Sequence, residues 1–287
     1  TTSTTHVNAL CLAADESAQP GYLLYTRRNP QTPQRIEPQV EALLRSSFYA
    51  LEPIVLLLPS WRGNNSAEQQ SKLAAALLAR EPCNVFALDA TPAASESQLV
   101  SSASDVVVLL QQQFDVPLAR QQLVGYAEGA HLAGAVAAQV QQLLGAQLPH
   151  IVALDPSGDG DGVQLQHQLA AQDAAYVEVL HTNGNGLGTM RQLGDVDYYP
   201  NGGQQQPGCH SDACAQERAL DLAVEMWSPA NEFVCARCGS VEALSGHNCR
   251  WSSLRMGVGV DVAAGIYFLE TKEQPPYGRG AYYIGFL

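Results

Sequence analysis

A five-residue turn bounded by two glycines is the stretch with the clearest chemical meaning. Gly125 and Gly129 follow an apolar, strand-like segment, and apolar residues recur at helical spacing over 130–144. The spacing predicts a sharp strand–turn–helix, because glycine allows both the tight turn and the close approach of two backbones. The middle of such a turn presents a nucleophilic side chain in many hydrolases. Here the middle residue is Ala127, which has no oxygen that could attack an ester.

Strands and helices alternate on both sides of this turn. Strands are predicted at 22–26, 54–58, 85–88, 150–154 and 176–181, paired strands at 265–270 and 281–286, and helices at 67–80, 98–114, 130–144 and 215–227. The alternation from 54 to 182 favours a mostly parallel, doubly wound sheet with flanking helices. The glycine-bounded turn within it is typical of the α/β-hydrolase fold, which is the fold expected here. Without a linker in the sequence, 1–287 is predicted to be one domain, with 1–20 as an N-terminal arm.

The acidic composition limits the classes of partner. The chain has 287 residues, 46% of them hydrophobic, with 28 acidic and 15 basic side chains and a net charge of −13. Nucleic acids and anionic membranes require a basic face, so neither is predicted as the main partner. No apolar run approaches the roughly 20 residues that span a bilayer, so no transmembrane segment is predicted.

Cysteines cluster in the second half of the chain. Five of the seven lie between 209 and 249, which predicts local disulfides and an oxidising compartment. A zinc site is the alternative, with four ligands over a short span: Cys235, Cys238, His247 and Cys249. The pair-of-pairs spacing of zinc ligands is missing, so disulfides are preferred.

Several motifs in the second half follow one another in a specific order. They are Leu154-Asp155-Pro156, His181-Thr182-Asn183-Gly184, Tyr199-Pro200-Asn201-Gly202-Gly203 and Pro207-Gly208-Cys209. Together with the glycine-bounded turn they resemble the animal pancreatic-lipase-like family, which includes triacylglycerol lipases, phospholipases A1 and the yolk proteins of flies. The resemblance covers roughly 20–287, and the C-terminal β-sandwich of digestive lipases does not fit in this length.

The resemblance implies a triad whose residues have changed. The nucleophile position falls on Ala127, the acid on Asp155 and the histidine on Gln216. Glutamine cannot accept and return a proton near neutral pH, and without a nucleophile no acyl-enzyme forms. These positions are therefore interpreted as a vestigial triad, and the chain is predicted not to be an enzyme. From the residues alone, Asp155 is equally well explained as a turn residue at the end of a strand.

The resemblance also implies the residues around the cleft. Backbone amides of Trp61 and Glu128 would form the oxyanion hole, beside Tyr126, but a carboxylate at position 128 repels a developing oxyanion. The expected disulfides are Cys209–Cys214 and Cys238–Cys249. Cys235 would then pair with Cys11 or stay free along with Cys83. Asp173 matches one calcium ligand while a neighbouring acidic position falls on Ala170, so neither metal nor cofactor is expected.

The sequence therefore predicts a secreted, inactive lipase homologue that serves as a yolk-type storage or carrier protein. A small apolar or sterol-like ligand would occupy the former substrate cleft. One alternative is a secreted interaction module that binds a protein partner or receptor. Another is an esterase or phospholipase with relocated residues, for which Ser60 and Glu128 are candidate nucleophiles, although His131 and His210 are expected to be a core and a loop residue respectively.

Overall fold

The computed structural model describes residues 20–61, 67–90, 94–158, 165–245, 248–259 and 262–280. Its strands are β1 (Gly21–Tyr25), β2 (Gln34–Ile36), β3 (Ile54–Leu58), β4 (Asn84–Asp89), β5 (Gln121–Tyr126), β6 (His150–Leu154), β7 (Val177–Leu180), β8 (Val196–Pro200), β9 (Val234–Cys238), β10 (Cys249–Arg255) and β11 (Gly265–Leu269). The α-helices are α1 (Val40–Leu44), α2 (Ala67–Arg80), α3 (Glu96–Phe114), α4 (Glu128–Leu144), α5 (Asp212–Met226) and α6 (Glu242–Ser245).

All of these strands belong to a single 11-stranded sheet. Its order is β10-β9-β11-β8-β7-β6-β5-β3-β4-β1-β2. Neighbours from β4 through β3, β5, β6, β7 and β8 to β11 pair in parallel. The pairs at both ends of the sheet, β1–β2 with β1–β4 and β9–β10 with β9–β11, are antiparallel.

Helices cover both faces of the parallel part. Alternate residues of β3 point to opposite faces, and all five are buried. Leu56 packs with α3 and α4 in one apolar cluster, whereas Leu57 packs with α2 and α5 in another. The α/β-hydrolase fold predicted from the sequence is confirmed, with a mostly parallel sheet and flanking helices. None of the described helices is long and apolar enough to cross a membrane.

Three strands of the second half were not predicted. Val196–Pro200 mixes acidic, aromatic and proline residues. Val234–Cys238 and Cys249–Arg255 contain arginine, and the second also contains two serines, so none of the three strands is a continuous apolar run. The predicted strand at 281–286 lies outside the described residues. Both edges of its expected partner β11 are occupied, by β8 and by β9.

The structure contains the two disulfides expected from the resemblance, Cys209–Cys214 and Cys238–Cys249. The second links the facing ends of β9 and β10, so Cys238 and Cys249 are not available as zinc ligands. Cys83 and Cys235 are buried free thiols. Cys11 and His247 lie outside the described residues.

Candidate functional site

The turn between β5 and α4 is as sharp as the two glycines predict. A Cβ atom on Gly125 would overlap the carbonyl oxygen of Gly129, and a Cβ on Gly129 would overlap that of Leu58 at the end of β3. Both positions therefore require glycine, because β3, β5 and the first turn of α4 approach one another too closely for any side chain.

Ala127 occupies the middle of this turn in a strained conformation. Its φ of 54° and ψ of −121° lie in a region that costs a non-glycine residue roughly 1–3 kcal/mol. The backbone N–H of Ala127 donates to the carbonyl of Leu154 at 3.0 Å, which ties the turn to the end of β6. The geometry that exposes a nucleophile is thus present, with a methyl group in the nucleophile's place.

Asp155 follows β6 directly and is completely buried. Its Oδ1 accepts hydrogen bonds from the backbone N–H groups of Thr182, at 2.6 Å, and Asn183, at 2.9 Å. Its Oδ2 is buried without a hydrogen-bond partner among the described residues. Burial raises the pKa of Asp155 to about 6, although the two amides and the charge of His181 oppose this shift.

His181, beside Asp155, forms a buried ion pair that the sequence analysis missed. Its Nε2 lies 2.8 Å from Oδ1 of Asp197, and its Nδ1 lies 2.8 Å from the carbonyl oxygen of Thr189. A carbonyl oxygen can only accept a hydrogen bond, so Nδ1 carries a proton and donates it to Thr189, while Nε2 faces the carboxyl group of Asp197. The ring stacks on Tyr199, and His181 and Asp197 are fully buried. This pair holds the end of β7 from which Thr182 and Asn183 reach Asp155.

Carboxylates surround the hydroxyl of Tyr126 at the end of β5. Burial raises the pKa of Tyr126 above its usual range, and the charges of Asp155, Glu217 and Glu128 raise it further. Glu128 is only 8% exposed, and its Oε2 has no hydrogen-bond partner among the described residues. Three candidate residues from the sequence, Tyr126, Glu128 and Asp155, thus lie around Ala127.

The remaining candidates approach from other elements. Gln216 lies in the first half of α5, half-buried, and its Nε2 also lacks a partner within the described part of the chain. Trp61 is half-buried after β3 and packs against the apolar cluster that α3 and α4 share. Ser60 precedes it and is half-buried.

The histidines near the turn have structural roles or are exposed. His131 accepts a hydrogen bond at Nδ1 from the backbone of Leu169, at 3.0 Å, so its Nε2 carries the proton and donates to the carbonyl of Ser157 at 2.8 Å. It therefore holds two loops onto α4. His210 is exposed, beside the Cys209–Cys214 loop.

The expected calcium position is engaged by a histidine. Oδ2 of Asp173 lies 2.9 Å from Nε2 of His167 and accepts the N–H of Ala170 at 2.9 Å. The hydrogen bond to Asp173 raises the pKa of His167. Among the described residues there is no group of three or more histidine, cysteine or acidic side chains arranged to hold a metal.

With this geometry in place, comparison with known proteins decides the family. A family model described as "Lipase" matches residues 2–277. The chain belongs to the lipase family. Phospholipase A1 of Vespa crabro is 37% identical over 139 residues, which are 46% of this chain and 46% of that protein. Lipoprotein lipase of Rattus norvegicus is 30% identical over 250 residues, 72% of this chain and 52% of that protein. The chain spans about half the length of these curated relatives.

Solved structures show a likeness of fold only. A sugar hydrolase from Lactococcus lactis is 19% identical with a TM-score of 0.37, over 48% of this chain and 64% of that one. An α/β-hydrolase from a deep-sea metagenome library is 18% identical with a TM-score of 0.35, over 46% of this chain and 56% of that one. The family assignment does not depend on them.

The prediction that this chain is not an enzyme is contradicted. Its relatives are named phospholipase A1 and lipoprotein lipase, which points to a family of lipolytic enzymes, and nothing in these comparisons indicates inactivity. The physical reason for the error is that Ala127 and Gln216 exclude only one catalytic route. They remove a serine and a histidine from two positions, but they do not test whether another group attacks the ester.

Proposed function

We propose that this chain is a secreted lipid-handling protein of the lipase family that binds a small amphiphile in the cleft above Ala127. In this proposal 1–287 form one domain, and the protein stores or carries its ligand, as yolk-type proteins do. The two disulfides support an extracellular location, because such bonds persist in oxidising compartments. The net charge of −13 supports a role that requires high solubility.

One observation carries the binding role. Three buried polar atoms of the candidate residues have no hydrogen-bond partner in the described part of the chain: Oε2 of Glu128 beside Ala127, Oδ2 of Asp155 at the end of β6 and Nε2 of Gln216 in α5. Leaving a buried polar group unpaired costs about 1–3 kcal/mol, so a bound molecule that pairs with these atoms is favoured. Two of them accept hydrogen bonds and one donates.

The same atoms define the class of ligand. Glu128 and Asp155 place carboxyl groups beside the turn, so the headgroup should offer hydrogen-bond donors and carry no negative charge. A neutral sterol-like molecule with a hydroxyl group meets this requirement. A free fatty acid would bring its own carboxylate towards these charges, and like charges disfavour that arrangement.

Titration calorimetry of the folded chain with a neutral sterol and with oleate tests the binding role. We expect the sterol to bind at least about tenfold more tightly than oleate. Glu128→Leu removes a carboxylate that repels oleate, so the difference between the two affinities should become smaller. Glu41→Leu removes an exposed carboxylate of α1 and serves as the matched control, with no expected change. Tight oleate binding that Glu128→Leu leaves unchanged would refute this ligand class.

Lipolysis through relocated residues is the second candidate. The names of the relatives favour it, and so does the strained turn at Ala127 with Asp155 held by two backbone amides. Since residue 127 has no nucleophilic atom, attack would have to come from another group, for which the sequence offers Ser60 and Glu128 as candidates. Hydrolysis of a short-chain ester or a phospholipid that Asp155→Asn abolishes would establish this candidate.

An interaction module for a protein partner is the remaining alternative. Native mass spectrometry of protein purified from its source separates it from the carrier role. A bound small molecule of stoichiometric amount supports the carrier. A stably associated polypeptide, with an empty cleft, would support the interaction module instead.

A further inference from the structure

Two arginines face each other at the β9–β10 edge of the sheet. Arg237 and Arg250 are directly opposite in the antiparallel register, next to the disulfide pair Cys238 and Cys249. Directly opposite residues project from the same face with their Cβ atoms only about 5 Å apart, and like charges there are destabilising. The disulfide fixes the register, so the two guanidinium groups cannot separate by a shift of one strand past the other.

The positive charge at this edge has no acidic partner in the described part of the chain. Arg237 donates from Nη2 to the carbonyl of Ala264 at 2.6 Å, and its guanidinium lies over Gly265. Arg250 and Arg255 form no ion pair with any described residue. In sequence, the only acidic residue from 237 to 255 is Glu242, which lines a separate cavity beside Phe268. An acidic chain therefore has a local basic surface that is not neutralised.

A cavity of about 620 Å³ lies among these arginines. The side chains that line it include Arg237, Arg250, Trp251, Gln192, Asn248 and Ser252. Its volume falls within the range of about 300–1,000 Å³ that is usual for small-molecule sites. Paired guanidinium groups bind phosphate through two parallel hydrogen bonds each, and the amides and hydroxyl add further polar contacts.

Trp251 indicates where such a phosphate comes from. Its side chain is 59% exposed, on β10, the last strand of the sheet. An exposed indole beside arginines is typical of residues that sit at the level of lipid headgroups, with the apolar ring partly inserted and the polar edge in water. The negative charge of the rest of the chain repels an anionic surface, so this edge is the part that approaches it.

We propose that the cavity between β9, β10 and β11 binds the phosphate headgroup of a phospholipid at an anionic membrane surface, with Trp251 entering the interface. Arg237 and Arg250 hold the phosphate, and Arg255 adds attraction to the surface. This site is separated from the turn at Ala127 by β8, β7 and β6. The proposal therefore does not depend on what the cleft binds or whether the protein hydrolyses esters.

Co-sedimentation with vesicles tests the proposal. We expect the chain to bind vesicles of phosphatidylcholine mixed with phosphatidylserine and to bind those of phosphatidylcholine alone much more weakly. The attraction is about 1 kcal/mol for each basic residue near such a surface, so Arg250→Gln and Arg255→Gln should each weaken binding about fivefold. Arg45→Gln removes an exposed arginine near the opposite end of the sheet and should leave binding unchanged.

Fluorescence tests the role of the indole separately. Vesicles with phosphatidylserine should shift the tryptophan emission of the chain to shorter wavelength. Trp251→Phe should remove the shift and Trp61→Phe should keep it, because Trp61 packs against the cluster of α3 and α4 and Trp227 is buried in the core. If Arg45→Gln and Arg250→Gln weakened vesicle binding equally, the binding would be due to the overall charge of the chain, and the proposal would be overturned. Failure to bind the mixed vesicles would also overturn it. Displacement by soluble glycerophosphoserine at the concentration of the vesicle lipid would instead assign the cavity to a free anion.

Discussion

The centre of the sheet and its β9–β10 edge are held together in different ways. At the centre, backbone contacts set the geometry: Gly129 lies against the carbonyl of Leu58, and Ala127 is tied to Leu154. At the edge, a disulfide and individual side chains set it, with Cys238–Cys249 next to the facing arginines. The geometry of the turn at Ala127 therefore comes from its glycines and backbone contacts and not from the side chain at its centre.

Adding one methyl group to the centre should have the largest effect. Gly129→Ala places a Cβ inside the carbonyl of Leu58, so β3 and α4 would have to move apart, and we expect a loss of about 4 kcal/mol or more in the free energy of unfolding. Gly239→Ala, at the β9–β10 edge, is the matched control because a Cβ there meets nothing within 4 Å. Urea denaturation measures the free energy of unfolding of both variants. Similar losses for the two variants would contradict the distinction between the regions.

Removing the edge disulfide should have a smaller and local effect. Cys238→Ser with Cys249→Ser opens a loop of sequence separation 11, which costs about 3 kcal/mol in the chain-entropy model. Hydrogen exchange should accelerate in β9 and β10 while β5 and β6 keep their protection, because the disulfide lies at the far edge of the sheet from these two strands. Equal acceleration in both regions would show that the sheet opens as one unit.

Replacing Asp155 should change how stability depends on pH. The pKa of Asp155 is raised from 3.8 to about 6 in the folded chain, so the folded state holds this proton more tightly than the unfolded state. Its ionisation therefore removes stability as pH rises from about 4 to about 6, on the order of 1–3 kcal/mol. Asp155→Asn keeps an oxygen for Thr182 and Asn183 and has no such proton.

Thermal unfolding at pH 4, 5, 6 and 7 measures this difference. The stability of Asp155→Asn relative to the unmodified chain should increase over that range and then level off. Asp195→Asn, in the loop before β8, is a control for the loss of one carboxylate, and no comparable trend is expected. A constant difference between chain and variant would mean that the pKa of Asp155 is not raised.

The sequence predicts the centre of this fold better than its edges. Local sequence patterns predict the central elements: apolar runs indicate β3 to β7, and the glycines indicate the turn. The alternation of strands and helices could therefore be predicted from the sequence. The strands β8, β9 and β10 depend instead on partners far along the chain. Val196–Pro200, for example, lies between β7 and β11, and the buried carboxyl group of its Asp197 is held by His181 and by backbone N–H groups of the preceding loop.

The candidate site was predicted in part for the same reason. The positions of Ala127 and Asp155 follow from the ends of β5 and β6, whereas the burial of Glu128 and the raised pKa of Asp155 depend on neighbours that no local pattern identifies. The basic edge was missed because net charge is a sum over the chain, and a sum of −13 does not exclude three facing or adjacent arginines on one strand pair. Counting the net charge of each strand and helix separately, rather than of the whole chain, would have indicated the basic edge.

The His181–Asp197 pair also has an evolutionary consequence. Both side chains are fully buried, so removing one partner leaves a polar group of the other without its hydrogen bond in the core, at a cost of about 1–3 kcal/mol. Replacing both by apolar residues of similar volume is often neutral or stabilising. Positions 181 and 197 are therefore expected to be inherited as a unit, with changes at one accompanied by changes at the other in every descendant sequence that keeps this sheet.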